Sequence, residues 1–289
     1  MSAVMVATIG GFLTLLFWGV GDYVSGKSGQ SISAVLTVVV TQLVGVLVFL
    51  PVVLWFGISL GSPAELLILL MSATAATIAF VMFIKAMAIG PMGVAAPVGN
   101  AYPLVTLIIG LAFLGFGLSA LQIIACLLIV LGVVFLAFDR TTFRLNRVPS
   151  LTISYALITL LAWGVAFALF ELVFPYYHWY ELLFINAVFM MLGSLLWYMV
   201  ERRCLLRIQE LRYGNMPHAW QAGVWITFGA ATFFIAIEYA GSVAIPAVLA
   251  SASPLATTFL AYYLDDEKLN IYKRFGAVVV VAGIILLNV

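Results

Sequence analysis

Ten apolar runs, each bounded by charged or turn-forming residues, pattern the chain: roughly 3–24, 33–57, 64–88, 92–113, 118–138, 152–174, 179–200, 219–240, 243–264 and 271–289. Each comes close to the about 20 apolar residues an α-helix needs to cross a bilayer's hydrocarbon core. The intervals are short and leave no room for a soluble domain. The pattern predicts an all-α membrane protein of ten transmembrane helices. Two runs depart from the rest. The fourth reads GPMGVAAPVGNAYPL, with Pro91, Pro97 and Pro103; the ninth reads GSVAIPAVLASASPL, with Pro246 and Pro254. Proline inside a helix removes a hydrogen-bond donor and clashes with the preceding turn. Pro97, Pro103, Pro246 and Pro254 are therefore predicted helix breaks. The carbonyls they free belong against protein or a wet cavity rather than lipid.

Composition makes the membrane reading firm. Of 289 residues, 65% are hydrophobic and 8% charged, where soluble domains carry about 25% charged residues. Lipid must serve as part of this chain's solvent. The charges then set an orientation. Lys27 follows the first run, Lys85 ends the third, Arg140, Arg144 and Arg147 follow the fifth, and Arg202, Arg203, Arg207 and Arg212 follow the seventh. Lys268, Lys273 and Arg274 lie between the ninth and tenth. All stand on the same side of an alternating ten-span path, and an excess of Lys and Arg marks the cytoplasmic face. Both termini are predicted outside a cytoplasmic (inner or plasma) membrane. The first run has no basic residue ahead of it and no small-residue cleavage site, and reads as a mature span. Cys126 and Cys204 read as unpaired, without metal-ligand spacing.

The halves resemble each other. TLLFWGV at 14–20 and TLLAWGV at 159–165 differ at one position. Residues 103–138 align without a gap on 254–289, sharing Pro103/Pro254, Leu104/Leu255, Thr106/Thr257, Leu118/Leu269 and Gly132/Gly283. This divides the chain into a first five-helix repeat at 1–140, a cytoplasmic linker at 141–151 and a second five-helix repeat at 152–289. Five is odd, so the second repeat enters the membrane from the opposite side, the inverted arrangement common among secondary transporters. The paired WG segments, Pro254 and Glu267 of LDDEKL resemble the EamA-type proteins of the drug/metabolite transporter superfamily. Phe116 stands where that pattern would place a first-repeat glutamate. The resemblance implies a secondary transporter working by alternating access, with export of amino acids or similar metabolites the commonest case. Uptake of a sugar or related polar solute, an uncoupled channel and a lipid-handling protein are the alternatives.

Candidate binding residues follow from the breaks and the repeat. Asn100, Tyr102, Ser251 and Ser253 flank the prolines and offer polar contacts to a solute; small residues such as the serines also serve close helix packing. Trp18 and Trp163 fall within spans and are expected to wall one central cavity, the alternative being core filling. Ionisable residues inside spans are functional candidates, which nominates Asp22, Lys85 and Glu238 for coupling. Each has a second reading: pairing with Lys27 for Asp22, snorkelling for Lys85, an interfacial place for Glu238. Gln42 and Asn186 read as helix glue, and His178 in PYYHWYE as part of an exposed outer belt. The two histidines lie in different loops without ligand spacing, and there is no glycine loop with lysine to cradle a nucleotide. The chain reads as no enzyme, with no cofactor, no metal and no nucleic-acid partner. A small-molecule solute and the lipid bilayer are its expected partners. Both repeats in one chain make a monomeric carrier complete, with a dimer left open.

Overall fold

The computed structural model describes residues 3–137, 149–202, 216–266 and 270–287. Among them every regular element is helical. The first three spans are α1 (Ala3–Gly29), α2 (Ala34–Phe56) and α3 (Pro63–Ile89). The fourth is split into α4 (Met92–Gly99) and α5 (Pro103–Ile109), the latter closing in a π-turn over Gly110–Leu114. There follow α6 (Ala120–Ala137), α7 (Ser150–Val173), α8 (Trp179–Arg202) and α9 (Met216–Ala240). The ninth span is split into α10 (Ala244–Ala250) and α11 (Pro254–Leu264), and α12 is Ile271–Leu287. Nine spans of the described residues are long and apolar enough to cross a membrane, and α12 adds a tenth helix with 17 described residues. Arg140, Arg144, Arg147, Arg203, Arg207, Arg212, Lys268, Cys204 and Glu267, the residue that carried the family turn, lie outside the described residues.

Three expectations are corrected. Helix α1 runs on to Gly29, so Lys27 sits in its last turn rather than in a loop. Of the four prolines, Pro103 and Pro254 mark the breaks, each opening the second half-helix at its first turn. There the missing N–H is one the helix leaves unpaired anyway, while the residue before each proline, Tyr102 or Ser253, keeps right-handed helical backbone angles. Pro97 lies inside α4. Pro246 lies in the first turn of α10, so neither interrupts its helix.

The packing has an exchange property. Helix α1 lies along α9 and α3 along α7; α2 pairs with α8 and α6 with α12; the broken spans pack on each other, α4 on α11 and α5 on α10. Swapping the first five spans for the last five returns the same pairs. The repeated sequences are where the halves touch. A Cβ on Gly19 would strike Ala256 and the Ser253 carbonyl, and one on Gly164 would strike Val105 and the Tyr102 carbonyl. Into each gap a threonine of the opposite repeat donates: Thr257 to the Gly19 carbonyl at 2.9 Å and Thr106 to the Gly164 carbonyl at 3.1 Å. Thr14 and Thr159, which open the two TLL segments, each donate to a carbonyl one turn back and to one on the neighbouring helix, Gly229 and Ala79 respectively. Without a hydrophobic force to hold helices together in lipid, close approach over glycine and such hydrogen bonds do that work.

Helices α6 and α12 cross over glycine too. Gly132 faces Val280 and the Gly276 carbonyl, while Gly283 faces Ile129 and the Ala125 carbonyl. Phe135 meets Phe275 edge-on at 5.1 Å between centroids. As one helix advances the other recedes, so the pair runs antiparallel.

Candidate functional site

Helix α1 presents Trp18 and, one turn on, Asp22 to the same face. Helix α7 presents Trp163 and, one turn on, Phe167. The two break turns, Asn100–Tyr102 and Ser251–Ser253, meet these faces at the middle of the bundle. Together with α2, α3, α8 and α9 they surround a cavity, open in part, of about 100 Å³, well above the roughly 10–15 Å³ that one water needs. Trp18, Asp22, Asn100, Tyr102, Trp163 and Phe167 all line it. Ser251 and Ser253 are fully buried behind the wall. Ser251 donates to the Val248 carbonyl at 2.7 Å, inside its own half-helix.

The wall has two unlike corners built from equivalent positions. At one, Asp22 is 3% exposed and accepts the Ser253 hydroxyl at 3.3 Å. That same hydroxyl lies 3.3 Å from the Asn100 amide oxygen, so one proton serves two acceptors. At the other, Phe167 stacks on Tyr102 with centroids 4.6 Å apart and planes 23° from parallel. Trp163 closes edge-on to Tyr102 at 5.8 Å, and Trp18 and Phe233 complete the aromatic wall at 5.1 Å from each other. Several donors are committed within the protein: Trp18 Nε1 to the Ile226 carbonyl at 3.2 Å, the Tyr102 hydroxyl to Ala247 at 3.1 Å, and Asn100 Nδ2 to Ala96 at 3.1 Å.

Gln42 and Asn186, read from sequence as glue between helices, line the cavity, as does Thr41. Thr41 Oγ1 and Asn186 Oδ1 are buried without a hydrogen-bond partner, an arrangement proteins rarely leave in place without a water or ligand to answer it. Phe170, Phe233 and Phe234 also line the space, as does Phe167, the residue at which the second repeat departs from the Asp22 of the first. The available signal was for Phe167 alone, which follows Trp163 as Asp22 follows Trp18.

The other charges lie elsewhere. Lys85 stands 3.5 Å from Glu201 and 5.5 Å above the Trp197 ring. Lys27 pairs with Asp265, not with Asp22. Glu238 accepts the Trp179 N–H at 2.9 Å and lies 3.6 Å from His178, which is 67% exposed in its side chain. Glu181 ties the 57–62 turn to α8, accepting from Ser59 N at 2.7 Å and His178 N at 2.8 Å. Glu171 accepts Val243 N at 2.7 Å. These three carboxylates satisfy backbone donors at helix starts, where anions are favoured. Tyr177 donates to the Leu60 carbonyl at 2.9 Å; burial, and then the Glu65 and Glu181 carboxylates, hold its phenol above the usual value. Among the described residues no group of three His, Cys, Asp or Glu could hold a metal ion.

A bundle of membrane-spanning helices folded around a central polar and aromatic cavity, with two broken helices meeting at its middle, defines a protein of the transporter class. The EamA-like transporter family model matches the chain twice, over residues 5–138 and 150–289, and the chain belongs to that family. Its members are membrane transporters rather than enzymes. A solved structure titled "Crystal structure of protein" is similar over 97% of this chain and 96% of its own, with a TM-score of 0.71 at 17% identity, which speaks to the fold alone. No curated protein matches.

Proposed function

We propose that the protein is a secondary carrier that moves a small organic solute across the cytoplasmic membrane by alternating access, with the solute held in the central cavity. The observation that carries this reading is that equivalent residues of the two repeats, Trp18 with Trp163 and Asp22 with Phe167, line one cavity. The exchange of neighbours on swapping the halves, and the antiparallel course of α6 and α12, support two inverted five-helix repeats. Two similar halves so related give outward-open and inward-open forms of comparable energy. In this reading Trp18, Trp163, Asn100 and Tyr102 form the solute wall, and Ser253 acts through Asp22. The cavity is built within one chain, which suits a monomeric carrier. The Lys and Arg distribution supports external termini.

The test is accessibility. In a Cys126→Ala, Cys204→Ala background, a cysteine at position 163 should react with a membrane-impermeant thiol reagent from either side of sealed vesicles. Solute counterflow should accompany that behaviour in proteoliposomes. Labelling from one side only, or unsaturable ion current in place of counterflow, overturns the carrier. A cytoplasmic reporter that is active when fused to the C-terminus overturns the orientation.

A further inference from the structure

We infer that the cavity selects a monocationic amine carrying an apolar body, with the ammonium group seated on Asp22. This rests on the carrier reading and names its class of solute. The carboxylate of Asp22 is buried on the cavity wall. Among the described residues that line the cavity there is no Lys, Arg or His. Its hydrogen-bonding neighbours, the Ser253 hydroxyl at 3.3 Å and the Asn100 amide, are both neutral, so no counter-ion of the cavity answers the charge. A buried charge without a counter-ion is costly, and a cation delivered by the solute answers it.

The remaining polar surface has the same sense. Asn186 Oδ1 is an acceptor without a partner and the Thr41 hydroxyl is free to accept or donate, whereas the indole of Trp18, the hydroxyl of Tyr102 and one N–H of the Asn100 amide already donate to backbone carbonyls. The wall therefore offers acceptors beside the carboxylate of Asp22. An ammonium group is all donor and fits it. A carboxylate finds no cation there, so a zwitterionic amino acid, the commonest cargo the family resemblance implied, is disfavoured. The rest of the solute meets Phe167, Tyr102, Trp163, Trp18 and Phe233, which bury an apolar body and add attraction between ring faces and the cation. With the carboxylate at one corner and the stacked rings at the other, the solute has one preferred orientation.

Four probes that share a phenyl ring test this on the full-length protein in detergent: 2-phenylethylamine (cation), 2-phenylethanol (neutral), phenylalanine (zwitterion) and 3-phenylpropanoate (anion). The amine should bind about tenfold tighter than the alcohol, as a charge-assisted hydrogen bond allows, and the anion and zwitterion more weakly than the alcohol. Asp22→Asn should remove the preference for the amine and keep the affinity for the alcohol, while Asp22→Glu keeps the preference. On the unmutated chain, the amine and not the alcohol should protect Asp22 from a hydrophobic carbodiimide, read by mass spectrometry; this holds the test open if the Asn variant does not fold. Equal binding of amine and alcohol, tightest binding of phenylalanine, a preference surviving in Asp22→Asn, or protection by both compounds overturns the assignment to Asp22 and leaves the cavity as a solute site. Binding of none of the four overturns the cavity reading as well.

Discussion

The Asp22–Ser253 corner and the Phe167–Tyr102 corner occupy matching places in the two repeats and have opposite chemistry. One is a buried carboxylate with a shared hydroxyl 3.3 Å away; the other is a pair of rings stacked at 4.6 Å. A turn below each, the scaffold is the same: a glycine facing a half-helix of the other repeat, and a threonine donating to that glycine's carbonyl. The two repeats match where their helices touch and differ on the cavity wall. The difference teaches that the symmetry carries the architecture, and that the two corners of the cavity depart from it in their chemistry.

That comparison can be broken first at the scaffold. Gly19→Val and Gly164→Val should each destabilise the protein by about 3 kcal/mol, since both drive a side chain into the facing half-helix. Chemical unfolding in detergent measures this, and a large inequality between the two would show that the copies do not share a role. At the corners the effects should take opposite signs. Phe167→Ala should cost about 3 kcal/mol through the lost ring packing while leaving a preference for cationic solutes. Asp22→Asn should raise stability by about 1 kcal/mol, because a buried charge without a counter-ion is removed, and should abolish selective transport; such trade-offs are usual at functional sites. Unfolding and uptake assays run on the same preparations would read both, and a loss of stability in Asp22→Asn would mark that residue as structural.

Finer still are the threonines. Thr106→Val and Thr257→Val should each cost about 0.6 kcal/mol, the usual worth of a hydrogen bond between membrane helices, and should be equal within error. Smallest of all, Lys85→Met and Glu238→Gln should leave transport unchanged. Both side chains are engaged away from the cavity, with Glu201 and with the start of α8. A fall in proteoliposome transport in either variant would restore it as a coupling candidate.

Much of the fold was legible because lipid imposes a length. Apolar runs placed each helix within a few residues, and the repeated WG and PLxT segments pointed to contacts that proved reciprocal. The helix breaks were half legible. Proline chemistry flagged four positions, yet only Pro103 and Pro254 stand at the breaks; Pro246 sits in a first turn, where a proline gives up little, and Pro97 is accommodated inside the short α4. The cavity wall was the least legible part. Trp18, Asp22, Asn100, Tyr102 and Trp163 stood out by type or by repetition. Gln42 and Asn186 stood out as polar but read as glue between helices, and the phenylalanines of α9 did not stand out, because a helix packed in lipid is apolar on every side and its inward face leaves no periodic mark.

The sequence by itself determined that this chain spans a membrane, how many helices it uses, that its halves correspond and where that correspondence fails, since composition, run length and repetition are local properties. Only the tertiary structure decided which side of each helix faces the cavity and that Ser253, rather than Lys27, is the partner of Asp22. It also set Phe167 and Tyr102 ring on ring. Those outcomes depend on how helices cross, and a crossing is fixed by packing between residues far apart in the chain, 231 positions for Asp22 and Ser253.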